Sequence, residues 1–161
     1  MARFEIRMRR APMAVVVGAL VGAIAGLFLL ALSEPATLPP SAAVMALVMI
    51  GAGFIFFLFG IAIFGLPAWM LLHVWGFRGW LSAALLGGIE CFAAMLLIEV
   101  WPMWSSNTFS SSAGGHDLIV NNHITAYGWK QALTYAGLLA IAGVLAGLSV
   151  WRFAYIRVDG D

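Results

Sequence analysis

Four apolar segments limit the fold of this chain more than any other feature, because each is long enough to cross a lipid bilayer as a helix. They cover residues 12–32, 41–72, 80–100 and 129–151. A crossing helix needs about 20 mostly apolar residues. Since 63% of the 161 residues are hydrophobic and 9% are charged, too few polar residues remain to surround a water-soluble core. The sequence therefore predicts an all-α, multi-pass membrane protein, a single domain over 1–161 with four transmembrane helices in a bundle.

The second apolar segment is too long for one upright crossing, and it contains a proline. Pro67 has no backbone N–H, and a proline ring clashes with the preceding helical turn. We expect Pro67 to kink or end the helix near Gly65 and Leu66. The rest of the segment would then extend toward the membrane interface.

The basic residues predict how the helices are oriented. Lysine and arginine are enriched in cytoplasmic loops. With four crossings, all arginines of the chain fall on one side of the membrane; they are Arg3, Arg7, Arg9, Arg10, Arg78, Arg152 and Arg157. Both termini are therefore expected in the cytoplasm, and the loop 101–128 on the opposite side.

The tryptophans agree with this orientation, because their side chains favour the membrane interface. Trp80 and Trp101 lie at the two ends of the third segment. They are separated by about 31 Å of helix, close to the thickness of a hydrocarbon core of about 30 Å. The chain resembles the many small four-span proteins of bacterial inner membranes, none of which has an assigned role that we carry over. We expect it in the plasma membrane, a bacterial inner membrane.

The loop 101–128 is the longest part of the chain expected outside the bilayer. Its first half is rich in serine and glycine, which is typical of a flexible linker. Its second half, "HDLIVNNHITAYG", is expected to form two short strands joined at Asn121 and Asn122. His116 and His123 also lie there, but their spacing fits no short zinc signature, so we interpret them as solvated loop residues.

Glycines at four-residue spacing predict close packing between helices, since small residues let two helix backbones approach each other. With one glycine of the third segment, the predicted packing positions are Gly18, Gly22, Gly26, Gly87, Gly143 and Gly147. We interpret them as contacts within one protomer. The alternative is a contact with a second copy of the chain, in a homo-oligomer, or with another subunit of a larger membrane complex.

Glu90 is the main functional candidate, because it lies in the middle of the third apolar segment. Ala83, Gly87 and Ala94 share its helix face, and such small faces turn toward other helices. An ionisable group at the bilayer centre costs about 2.5–3.5 kcal/mol. No lysine, arginine or histidine lies at the same depth in the other segments. We therefore expect a protonated Glu90 that donates to a backbone carbonyl beside a glycine, or to a water.

Three roles remain open for Glu90: a proton or cation relay, a contact with another subunit, or a structural hydrogen bond. We favour the last two, because the segment offers no chain of further polar groups for a relay. The sequence contains no phosphate-binding glycine loop, no HExxH or GxSxG motif and no basic stripe. We therefore expect no catalytic residue, cofactor, metal or nucleic acid.

The leading functional hypothesis is a small integral membrane protein that works by interaction. It would be an accessory, assembly or self-associating subunit, with the lipid bilayer as its environment. The alternative is one protomer of an oligomeric transporter or channel, with Glu90 as an intramembrane proton or cation site.

Overall fold

The computed structural model describes residues 3–6, 10–33, 42–101, 104 and 108–158. This part of the chain is mostly helical, and four of its helices are long and apolar enough to cross a membrane, as predicted. The helices are α1 Ala11–Ser33, α2 Ala42–Gly60, α3 Leu66–Val74, α4 Trp80–Val100 and α5 Ala126–Ala154. The second crossing helix consists of α2 and α3 together. The strands are β1 Arg3–Ile6, β2 Ser111–Ala113, β3 His116–Val120, β4 His123–Ile124 and β5 Tyr155–Val158.

The second crossing helix continues through Pro67, and it is irregular at the predicted place, just before Leu66. A π-helical turn, Ile61–Gly65, joins α2 to α3, and both Gly65 and Leu66 keep helical dihedral angles. The N–H of Leu66 donates to the carbonyl of Ile61, five residues earlier. Because Pro67 has no N–H to donate, the regular hydrogen-bond ladder is interrupted here. The wider turn absorbs the interruption and lets the helix continue to Val74.

Helix α5 organises the bundle. It packs against both α1 and α4, and α1 also packs against α2. By contrast, α4 touches the π turn and α3 over short stretches only. The second and third crossing helices therefore lie apart over most of their length, and the bundle is open between them.

The core between α1, α2 and α5 is built from small residues around one aromatic ring. Phe57 of α2 is buried and lies over Gly22 of α1, where an added Cβ would come within 2.5 Å of the ring. A Cβ added at Gly18 would be just as close to Val150 of α5, whereas a Cβ added at Gly26 would have its nearest neighbours at 3.7 Å or more, an ordinary contact. These glycines make room for side chains of neighbouring helices in the same chain.

The crossing of α4 and α5 brings two backbones into direct contact. A Cβ at Gly143 would lie 2.2 Å from the carbonyl oxygen of Gly87, and a Cβ at Gly87 would lie 2.3 Å from that of Gly143. One turn away, Gly147 has the same relation to the carbonyl oxygen of Ala83, at 2.3 Å. A side chain at any of these three positions would force α4 and α5 apart.

A three-stranded hairpin unit follows α4. The predicted pair of strands is confirmed: β3 and β4 are antiparallel, and Asn121 and Asn122 between them have φ of 47° and 65°. Such left-handed pairs match the twist of a two-residue hairpin. The serine-rich half of the loop, expected to be a linker, instead supplies β2, which pairs with β3 through a turn at Gly114 and Gly115.

The hairpin unit is attached to the start of α5. Thr125 caps this helix by accepting a hydrogen bond from the N–H of Gly128, and its hydroxyl donates to the carbonyl of Asp117. Gly128 lies so close to the carbonyl of Leu118 that no Cβ fits between them. The hairpin therefore covers one end of the bundle.

The opposite end of the bundle holds both terminal strands. β1 and β5 are antiparallel, with Ile6 opposite Tyr155. The buried ring of Tyr155 contacts Trp69 and Trp151, and its hydroxyl lies 3.1 Å from Nδ1 of His73. The indole N–H of Trp151 also donates to the carbonyl of Arg78. This aromatic cluster holds the ends of α3 and α5 and the turn before α4 together.

Candidate functional site: a lateral cleft in the bundle

The opening between the second and third crossing helices is a cavity of about 430 Å³. One wall runs from Phe56 through the π turn to Trp69, and α4 forms the other wall from Ala83 to Leu97. Gly143 and Val150 lie in the stretch of α5 behind them. Phe64 lines the cavity and is 67% exposed, so the cavity opens to the outer surface of the bundle. We call it the lateral cleft.

Glu90 lies on the α4 wall of the lateral cleft, beside the π turn. One carboxyl oxygen, Oε2, is 3.3 Å from the point where a Cβ would sit on Gly65. Gly65 itself is buried, and its missing side chain leaves room for the carboxyl group. The four residues of the small face predicted for α4 all line the cleft, and Ala83 and Gly87 also contact α5.

The carboxyl group of Glu90 has no polar protein partner within the described residues. It forms neither a hydrogen bond nor an ion pair there, so of its two expected partners the backbone carbonyl is not found among the described residues, and the bond to a water stays a prediction. Its protonation stays a prediction. Every other described residue that lines the cleft is apolar, apart from the thiol of Cys91, which packs against Gly143. A carboxyl in these surroundings is poorly solvated, and its charged form needs a counter-charge.

The π turn is the part of the site that sequence reasoning missed. It places a wide helical turn opposite Glu90, with Gly60 before it and Gly65 as its last residue. Pro67 was the available signal, but a proline indicates only that the helix is irregular nearby. π turns inside helices frequently mark functional sites.

The other candidate residues lie away from the lateral cleft. Glu99 borders a separate recess of about 30 Å³ beside the hairpin unit. The ring of His116 stacks on Tyr127 with centroids 4.3 Å apart. Within the described part of the chain, no three histidine, cysteine or acidic side chains converge as metal ligands would.

The aromatic cluster closes the lateral cleft at one end, because Trp69 belongs to both. Trp69 lines the cleft and makes an edge-to-face contact with Tyr155 at 5.6 Å. Burial raises the pKa of Tyr155. The phenol therefore stays neutral, and the cluster is a fixed apolar boundary rather than a charged one.

Comparison of this chain with models of protein families, with curated proteins and with solved structures finds no match. Its function is therefore inferred from the chemistry of the lateral cleft. Apolar and aromatic walls with few polar groups are typical of sites that bind small apolar ligands. The carboxyl of Glu90 adds one hydrogen-bonding group that can also exchange a proton.

Proposed function

We propose that this protein is a multi-pass membrane protein that acts by binding other membrane components, as an accessory, assembly or self-associating subunit without catalysis of its own. The supporting observation is the lateral cleft, an opening between two crossing helices of one bundle. A transmembrane bundle normally packs its helices against each other through small residues. Here the second and third crossing helices are held apart, which leaves an apolar surface available to a partner.

The position of Glu90 supports the same proposal. An unpaired carboxyl group in a membrane helix is costly, and a polar contact from a bound component would offset that cost. The lateral cleft gives such a component direct access to Glu90 from the bilayer. Binding in the cleft would therefore satisfy apolar and polar surfaces together.

We propose that the protein lies in a bacterial inner membrane and that both of its termini face the cytoplasm. Arg78 and Arg152 lie near the end that holds β1 and β5, while Lys130 lies in the first turns of α5, near the hairpin unit.

Single cysteines introduced in a Cys91→Ala background test this orientation. A membrane-impermeant maleimide added to intact cells should label Ser112→Cys in the hairpin and leave Phe77→Cys unlabelled. The reverse pattern would overturn the orientation.

A second function is favoured by one specific observation. Glu90 is the single side chain with a carboxyl group among the described residues that line the lateral cleft. We propose as the alternative that the chain is one protomer of an oligomeric transporter or channel, in which Glu90 is a proton or cation site. Four helices alone rarely enclose a solute path, so this function requires several copies.

Native mass spectrometry of the tagged protein in lipid nanodiscs separates the two proposals. A stoichiometric foreign subunit supports the accessory role. A defined homo-oligomer with proton flux in liposomes supports the transporter, provided that Glu90→Gln abolishes the flux and Glu99→Gln does not. Glu99 is the matched control because it is a glutamate of the same helix that lies outside the cleft. A monomer with no partner and no flux would contradict both.

A further inference from the structure

We propose that the lateral cleft binds lipophilic cations, and that Glu90 releases its proton as the cation enters. This inference deepens the transporter alternative and rests on it only for the translocation step. Binding itself holds for any oligomeric state that leaves the cleft accessible.

The size and access of the cleft fit a small ligand that dissolves in the bilayer. Its volume of about 430 Å³ lies within the range of about 300–1,000 Å³ that is usual for small-molecule sites. Its α2–α3 wall from Phe56 to Trp69 is about 20 Å long at about 1.5 Å per residue. Since Phe64 is largely exposed beside the opening, a ligand can enter sideways from the hydrocarbon region.

The aromatic residues of the cleft favour a cation over a neutral hydrocarbon. Phe56, Phe64 and Trp69 line the same wall, and Phe56 is 38% exposed. The face of an aromatic ring attracts a cation through its quadrupole, most strongly where water is excluded. A delocalised or alkyl-substituted cation can therefore leave water and still be stabilised along this wall.

Glu90 supplies the counter-charge. From its own helix, the neighbouring titratable group is Cys91; the described residues that line the cleft from α2, the π turn, α3 and α5 are all uncharged and apolar. An entering cation therefore meets one acid and no competing base. In the exchange, the O–H bond of the neutral carboxyl breaks, the proton leaves to the aqueous phase, and the carboxylate pairs with the cation. The net charge inside the cleft changes by zero, so neither state leaves an unpaired charge in hydrocarbon.

A phospholipid cannot make the same pairing. Glu90 lies near the middle of α4, roughly 15 Å from either end of the helix at about 1.5 Å per residue. The charged headgroup of a phospholipid stays at the interface, whereas a lipophilic cation can carry its charge to the depth of the carboxyl. The depth of Glu90 therefore selects ligands whose charge is surrounded by apolar groups.

Tetraphenylphosphonium is the probe for this proposal. The purified protein in phosphatidylcholine nanodiscs is titrated with it by calorimetry at several pH values and in two buffers of different ionisation enthalpy. We expect saturable binding with release of one proton per site. The affinity should rise about tenfold per pH unit wherever Glu90 is protonated in the free protein, because one proton is exchanged.

Three variants decide the outcome. Glu90→Gln should remove the proton release and weaken binding by about tenfold or more, whereas the matched control Glu99→Gln should bind as the parent does. Gly65→Leu keeps the carboxyl but fills the space beside it, and it should weaken binding as well. Helix content by circular dichroism and an unchanged elution volume identify correctly folded variants. Gly65→Leu remains informative if Glu90→Gln fails to fold.

Binding that is independent of pH and equal in parent and variants would show partition into lipid and would overturn the proposal. Proton flux that depends on Glu90, without tetraphenylphosphonium binding, would overturn the cation inference and leave the transporter function standing. Binding with proton release but no flux would support the cation-binding site at Glu90 and would rule out the transporter function.

Discussion

Gly143 lies where the backbones of α4 and α5 are in direct contact, so Gly143→Ala is a sharp test of how the bundle is held together. The added methyl carbon would lie 2.2 Å from the carbonyl oxygen of Gly87 and 2.7 Å from Sγ of Cys91. A carbon and a carbonyl oxygen in favourable contact are about 3.3 Å apart. Helices α4 and α5 must therefore separate by about 1 Å, and this also loosens the neighbouring contact of Gly147 with Ala83.

The expected loss follows from these distances. Overpacking costs about 1–3 kcal/mol, and the upper part of the range applies because the obstacle is a backbone carbonyl that cannot rotate away. Alanine regains up to about 1 kcal/mol through its higher helix propensity. We therefore expect Gly143→Ala to lower the free energy of unfolding by about 1–2 kcal/mol, measured by steric trapping in lipid bicelles.

Gly137→Ala is the matched control, because Gly137 lies on the same helix and a Cβ there would meet nothing within 4 Å. This variant should be unchanged or more stable by up to about 1 kcal/mol. Equal free energies of unfolding in the two variants would refute the inference that the α4–α5 crossing requires glycine.

Three further predictions concern other parts of the bundle. Gly22→Ala should lower the free energy of unfolding by less than Gly143→Ala does, because the added methyl meets the ring of Phe57, a side chain that can shift. Unfolding in bicelles measures both values, and an equal or larger loss for Gly22→Ala would contradict this. Thr125→Ala removes the N-cap of α5 and should lower the free energy of unfolding by about 1 kcal/mol. Hydrogen exchange should become faster at Gly128 and in the hairpin unit, and unchanged exchange would contradict this. Because burial raises the pKa of Tyr155, its phenol should ionise above the ordinary tyrosine pKa of about 10, so Tyr155→Phe should remove a strongly alkaline phase of the tyrosinate absorbance, and an unchanged titration curve would contradict this. The same shift stabilises the folded protein below the ordinary tyrosine pKa of about 10, and this contribution is lost as the pH rises through the higher folded value.

The sequence was sufficient to predict the features that depend on local pattern. The four crossing helices follow from runs of apolar residues whose length matches a bilayer. The turn at Asn121 and Asn122 follows from the left-handed backbone that these residues adopt more readily than most. Glu90 was recognised as unusual because a carboxyl group at mid-membrane is costly in any fold.

The lateral cleft could not be predicted, because it depends on how far apart two helices are held. Phe57 fixes α2 on α1 through Gly22, while Gly87 and Gly143 fix α4 on α5. The gap between α2 and α4 is the result of both contacts, and a periodic pattern along one segment does not contain it. The pairing of β1 with β5 is just as nonlocal, since two four-residue strands from opposite ends of the described chain carry too little pattern to indicate each other.

The central place of α5 has a consequence for biosynthesis. About 90 residues separate the end of α1 from the start of α5, so at about 5–20 residues per second α5 is synthesised roughly 5–20 s after α1. During that time α1 and α2 can already pair through Gly22 and Phe57, whereas α4 has no extensive helix contact until α5 enters the membrane. A ribosome that stalls before residue 126 would therefore leave one pair of helices and one solitary helix in the bilayer, a nascent chain that quality-control proteases can recognise.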